Sequence, residues 1–160
     1  MKRRLSGHIS FVSSEAGQFA VYGYCAFAPT KFALRCVVAH MKRRLSGHIS
    51  FASSEAGQFA VYGYCAFAPT KFALRGLADA LQMELMPYNI NVSVLYPPNT
   101  DSESFRKQAV ERTEEMRLIS DTGGLFTPKQ VAEAHIKDIE AGQYSTSVGL
   151  NGWILSELYF

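Results

Sequence analysis

The chain has 160 residues, 48% of them apolar and 19% charged, with a formal net charge of +2. That length and apolarity suit one soluble globular domain with a packed core and exclude a chain disordered throughout. The basic residues cluster only as Lys2-Arg3-Arg4 and Lys42-Arg43-Arg44, too little to form an electrostatic footprint for nucleic acid.

The amino terminus is basic, but Ser6, Gly7 and His8 interrupt the apolar run a signal peptide needs, and no stretch of about 18 apolar residues is present to span a bilayer. Cys25, Cys36 and Cys65 form no CxxC pair, and Cys25 and Cys65 are one position seen twice. The reading is reduced thiols in a cytosolic compartment, not a disulfide framework or zinc site. The scattered histidines likewise give no expectation of a metal site.

Residues 1–35 recur at 41–75 with a single change, Val12 against Ala52. Solenoid repeats diverge in sequence and need about three units to bury a continuous core, so two near-identical copies are not a solenoid. The separator Cys36–His40 holds no Gly, Pro or Ser and is not a linker by composition. The pattern reads as a duplication or a misassembled gene. Residues 1–40 are then a copied stretch plus spacer, expected to order poorly, and 41–160 are the unit to interpret.

In chain order, His48–Ser53 is a β-favouring run between Gly47 and a Ser-Ser-Glu-Ala-Gly segment and reads as a buried strand. Ala66–Met86 turns helical, with Leu74, Leu77, Leu81 and Leu85 at three- and four-residue steps, and Pro87 ends it. Ala73, Ala80 and Met83 add a second apolar side, so this helix should be covered on two faces. Ile90–Tyr96 is a β-branched run stopped by Pro97-Pro98 and reads as a central strand. A polar helix follows from Asp101 to about Ile119, with Asp101 or Ser102 as its cap. Thr127-Pro128-Lys129-Gln130 carries a capping-box signature for a helix to about Ala141, closed by Gly142. Strands alternating with helices imply a parallel α/β sheet.

Ser54, then Phe67 thirteen residues on, then Lys71 four residues further, resemble the Ser, Tyr and Lys of short-chain dehydrogenase/reductases, and the resemblance implies their roles. Residues four apart share a helix face about 6 Å apart along the axis, so a lysine there can lower a neighbouring phenol's pKa and reach a bound ribose. A hydroxyl at the strand end would orient a carbonyl while hydride arrives from a nicotinamide. Here the phenol is absent, and Phe67 has no proton to give; the first copy repeats the substitution at Phe27, beside Ser14 and Lys31. Tyr64 is the nearest substitute, but seven residues from Lys71 is about 10 Å along a helix axis.

Short-chain dehydrogenase/reductases carry Ser, Tyr and Lys at this spacing. The stretch ASSEAGQ followed by FAPTKFALRGLADALQMELMPYNINVSVLYPPNTDS resembles, within them, the 3-ketodihydrosphingosine reductase family, from about Arg43 to about Ser156. The resemblance implies an incomplete Rossmann-like parallel sheet with flanking helices, lacking the N-terminal nucleotide-binding βαβ unit. It also implies NADPH as cofactor and a sphingoid ketone as substrate, on the cytosolic side of the endoplasmic reticulum. Ser54, the tyrosine position now held by Phe67, and Lys71 would be the catalytic set. Lys71 and the loop residues Pro97, Pro98, Thr100 and Ser102 would touch the cofactor, with Ser102 where relatives have threonine. The loop's bland alternative is a proline-ended strand and a helix cap.

Two departures set against turnover by this chain are Phe67 and the lack of any glycine-rich Gly-x-x-x-Gly-x-Gly or Gly-x-Gly-x-x-Gly turn to receive a pyrophosphate. The alternatives are a non-catalytic module that forms a homodimer or pairs with a full-length reductase through helix 66–86, and a degenerate gene product without function. Gly149–Phe160, apolar but too short to span, reads as a remnant of the family's approach to the membrane or as a poorly packed terminus.

Overall fold

A computed structural model describes residues 8–12 and 27–159. Lys2–Arg4, Ser14 and Cys25 lie outside the described residues. The elements run β1 (His8–Val12), α1 (Phe27–Arg44), β2 (Gly47–Ala52), α2 (Phe67–Leu85), β3 (Ile90–Tyr96), α3 (Glu103–Glu111), α4 (Glu114–Asp121), α5 (Pro128–Glu140), β4 (Ser145–Ser147) and α6 (Gly149–Tyr159). Short 3-10 turns at Glu55–Gly57 and Met86–Tyr88 flank α2.

The strands form one parallel four-stranded sheet in the order β1-β2-β3-β4. The α/β class read from the alternation of elements is the observed one. β1 lies beside its own copy in β2, His8 against His48 through Phe11 against Phe51, and the one differing pair, Val12 and Ala52, is also in register. The nonapeptide FAPTKFALR opens both α1 and α2. In α1 the helix continues through the separator, so position 40–41 falls inside a helix rather than at a break.

Both sheet faces are used, each with its own chemistry. Ile49 and Phe51 on β2 share a face with Val92, Val94 and Tyr96 on β3, and this face packs against Ala78, Leu81 and Leu85 of α2. Met41 of α1 joins the cluster, with Leu34, Val37 and Val38 half-buried on the same helix, so the separator contributes apolar contacts. The opposite face is polar and bonded. Ser50 Oγ lies 2.6 Å from His135 Nε2, Thr146 Oγ1 lies 2.9 Å from His135 Nδ1, and His48 Nε2 lies 2.9 Å from Ser93 Oγ. A buried hydroxyl is tolerated when it is hydrogen-bonded, and α5 supplies the histidine that satisfies two of these.

Three local outcomes differ from the sequence expectation. The helix expected over 101–119 is two, because Arg112 is extended (ψ 139°) and Thr113 caps α4 by accepting from Met116 N–H. Thr-Glu-Glu is as good a start signal as the apolar period is a continuation signal. β4 is three residues long with no apolar run to announce it. On α2, Ala73 and Met83 of the expected second side are exposed, Met83 by 71% of its surface, and Ala80 is half-buried, so no element among the described residues covers that face. The capping box at Thr127 and Gln130 is present as expected.

Candidate active site

The sequence brings β2, β3 and α2 together so that one cavity of about 360 Å³ opens at the carboxyl ends of β2 and β3. Ligands of parallel α/β sheets bind at this end, and the volume lies within the range of small-molecule sites. Ser54, Phe67, Pro97, Pro98, Thr100 and Ser102 all line it, and Lys71 stands immediately behind Phe67.

Each is held by a distinct local device. Ser53 continues the ladder through its N–H to Leu95 O (2.8 Å), and its buried hydroxyl donates to the Lys71 carbonyl at 3.1 Å, tying the strand end to α2. Gly57 permits that approach: a Cβ there would lie 2.5 Å from Ser53 Oγ and 3.1 Å from the Lys71 backbone. Ser54 is extended and caps the 3-10 turn by accepting from Ala56 N–H at 3.3 Å. Beyond β3, Phe126 N–H donates to Asn99 O and Asp101 N–H to Phe126 O, fixing the loop that holds Thr100. Thr100 donates to Pro98 O, and Ser102 caps α3 by accepting from Phe105 N–H. The capping role anticipated for Ser102 is thus observed, alongside its place on the cavity wall.

Lys71 is 6% exposed, and its ammonium lies 5.2 Å from the Phe67 ring centroid. A ring face attracts a desolvated cation. Burial pulls the lysine below its ordinary pKa, and Lys71 makes no ion pair among the described residues. Tyr64 precedes α2 in a turn, so the helix-axis separation from Lys71 does not apply to it. Its ring lies 5.6 Å from that of Phe67 and lines the same cavity.

Sequence reading missed several wall residues: Glu55, Arg112, Met116 and Asn151. Glu55 was visible in the Ser-Ser-Glu-Ala-Gly segment, but nothing in a polar segment marks one carboxylate as buried. Burial pushes its pKa up to about 7. The others reach the cavity through the α3–α4 break and through α6, which no short-range pattern marks. Among the described residues no group of His, Cys, Asp and Glu has metal-ligand geometry.

A parallel sheet with a hydroxyl at one strand end and a lysine on the next helix, around a cavity bounded by the following strand's loop, defines a parallel α/β fold of the Rossmann-like class with its candidate site at the strand ends. Residues 34–113 match the family described as short chain dehydrogenase, and the chain belongs to that family. The 3-dehydrosphinganine reductase of Danio rerio is 48% identical over 158 residues, 99% of this chain and 36% of the relative. The chain thus spans about a third of the length of such curated relatives. Among solved structures, a short-chain dehydrogenase from Streptomyces avermitilis superposes with a TM-score of 0.67 at 22% identity, over 91% of this chain and 58% of that one. A tyrosine-to-phenylalanine variant of ElxO with NADPH bound has a TM-score of 0.54 at 25% identity, over 65% and 43% of the two chains.

The residues fit one end of such a cofactor. Prolines 97 and 98 and the Thr100 and Ser102 hydroxyls give a partly polar wall, with the Lys71 ammonium behind the Phe67 ring on the same cavity, an arrangement that suits a nicotinamide and its ribose. The sequence contains no glycine-rich turn for the pyrophosphate. Among the described residues no helix is long and apolar enough to cross a membrane.

Proposed function

We propose that this chain carries the ketone-and-nicotinamide cavity of a 3-ketodihydrosphingosine reductase and takes NADPH and a sphingoid ketone there, on the cytosolic side of the endoplasmic reticulum. The observation that carries the reading is that Ser54, Phe67 and the Pro97–Ser102 loop, far apart in sequence, line one cavity with Lys71 behind. Ser54 orients the carbonyl oxygen by donating to it. Lys71 holds the ribose hydroxyls, with Pro97, Pro98, Thr100 and Ser102 bounding the ring. The cofactor, when bound, supplies hydride. The proton is the weak point, since Phe67 supplies none and Tyr64 is the one phenol on the cavity wall among the described residues. Loss of a positioned general acid costs about 10²- to 10⁴-fold in rate, so turnover is slow.

The test is a fluorescence titration of the purified chain with NADPH, with and without ketone. Saturable binding that is lost in Lys71→Met supports the reading. Absence of NADPH binding would sink it, whatever the state of the fold.

A second reading rests on α2. Phe72 and Met83 expose apolar surface on the face turned away from the sheet, and Leu77 is exposed at the edge of the sheet-facing side. We propose that this face pairs with the same helix of a second reductase chain, either another copy or an intact relative. Sedimentation of the chain alone and mixed with a full-length reductase checks it. Pairing abolished by Met83→Asp supports it, and a monomer in both samples counts against it.

A further inference from the structure

The cavity wall contains a carboxyl group that the reductase chemistry leaves without a task. Glu55 opens the 3-10 turn that follows the strand-end serines and lines the cavity. Its backbone N–H reaches Pro97 O at 3.4 Å. Its Oε1 is buried and has no hydrogen-bond partner among the described residues. An unpaired buried carboxylate oxygen is costly, and because Glu55 lines the cavity, a turn of its carboxylate toward a cationic donor from a ligand there removes that cost.

The other groups around the cavity do not remove it. Arg112 reaches Ser120 Oγ at 2.9 Å and stacks on Phe105, with its guanidinium carbon 4.5 Å from that ring. Lys71 faces the Phe67 ring, and Tyr64 packs on the same ring. No ion pair to Glu55 occurs among the described residues, and desolvation alone accounts for its raised pKa.

We propose that Glu55 is the specificity residue of this cavity, accepting a hydrogen bond from a protonated primary amine on the carbon next to the ketone. This rests on the reading of the cavity as a sphingoid-ketone site and adds which part of such a molecule the protein recognises. A sphingoid ketone carries that ammonium, whereas an N-acylated sphingolipid has a neutral amide in its place. Glu55 therefore selects the free base over the acylated lipid. The carboxyl is partly protonated near pH 7 and gives up its proton to solvent as the ammonium docks, so binding releases protons.

The experiment is calorimetric titration of the whole chain at pH 7 with an eight-carbon 2-amino-1,3-diol and with its N-acetyl derivative, each in two buffers of different ionisation enthalpy. The amine should bind about 10- to 100-fold more tightly than the amide, with proton release. Glu55→Gln should bring the amine down to the amide's affinity and abolish the proton release. A circular-dichroism spectrum matching that of the unsubstituted chain reports an intact fold. Equal affinity of the two ligands for the unsubstituted chain overturns the role of Glu55 while leaving the cavity reading in place. Failure of both to bind overturns the cavity reading together with this one.

Discussion

The ammonium of Lys71 rests over the ring of Phe67, 5.2 Å from its centroid, where the helical spacing of the two residues places it. A ring with no hydroxyl holds the lysine by its quadrupole alone.

Phe67→Tyr should therefore create a phenol with a lowered pKa. The neighbouring cation favours the phenolate, so the new group should titrate below the ordinary value of about 10. Ultraviolet difference titration against the unsubstituted chain measures it. A new phenol titrating at or above that value would show that the lysine does not act on this position.

Glu55 predicts a pH dependence of stability. Its folded pKa of about 7 lies above its ordinary 4.5, so the folded chain holds a proton that the unfolded chain releases between those values. The contribution is complete below 4.5 and is lost as pH rises through 7. Glu55→Gln removes the titration, so the fall in Tm between pH 5 and pH 8 should shrink by roughly 2 °C or more. Parallel melting curves for the two proteins at both pH values would contradict it.

Gly57→Ala should loosen the junction between the strand end and α2. The added methyl meets the Ser53 hydroxyl and the Lys71 backbone, and backbone cannot yield as a flexible side chain does. Overpacking of this kind costs about 1–3 kcal/mol. Urea denaturation measures it, and NADPH binding should weaken in parallel because Lys71 is displaced.

The two faces of α2 should respond differently to truncation. Leu85 is fully buried in the sheet-facing cluster, so Leu85→Ala should cost about 2–5 kcal/mol. Met83 is mostly exposed, so Met83→Ala should change stability by less than about 0.5 kcal/mol. Equal losses at the two positions would mean that the exposed face is packed in the isolated chain.

The sequence by itself determined the features that depend on near neighbours along the chain. The strand at 47–52, the helix ended by Pro87, the β-branched strand at 90–96 and the Thr127 capping box are legible because period, propensity and caps act over a few residues. The Phe67–Lys71 adjacency is legible for the same reason, as one helical turn fixes it. The duplication was equally plain as text, but not that β1 would pair in register with its own copy. That pairing is a contact between residues forty apart.

Tertiary structure decided the rest. The cavity is assembled from segments near 54, 67, 97–102, 112–123 and 151–155, and no local pattern states that they meet. Tyr64 reaches the wall because it sits in a turn before the helix, and helix geometry extrapolated backwards from Lys71 could not have found it. The unpaired oxygen of Glu55 exists only where its surroundings exclude both water and a partner. Burial is a property of the assembled chain, and burial is what turns a carboxyl group in a polar segment into a candidate receptor for an amine.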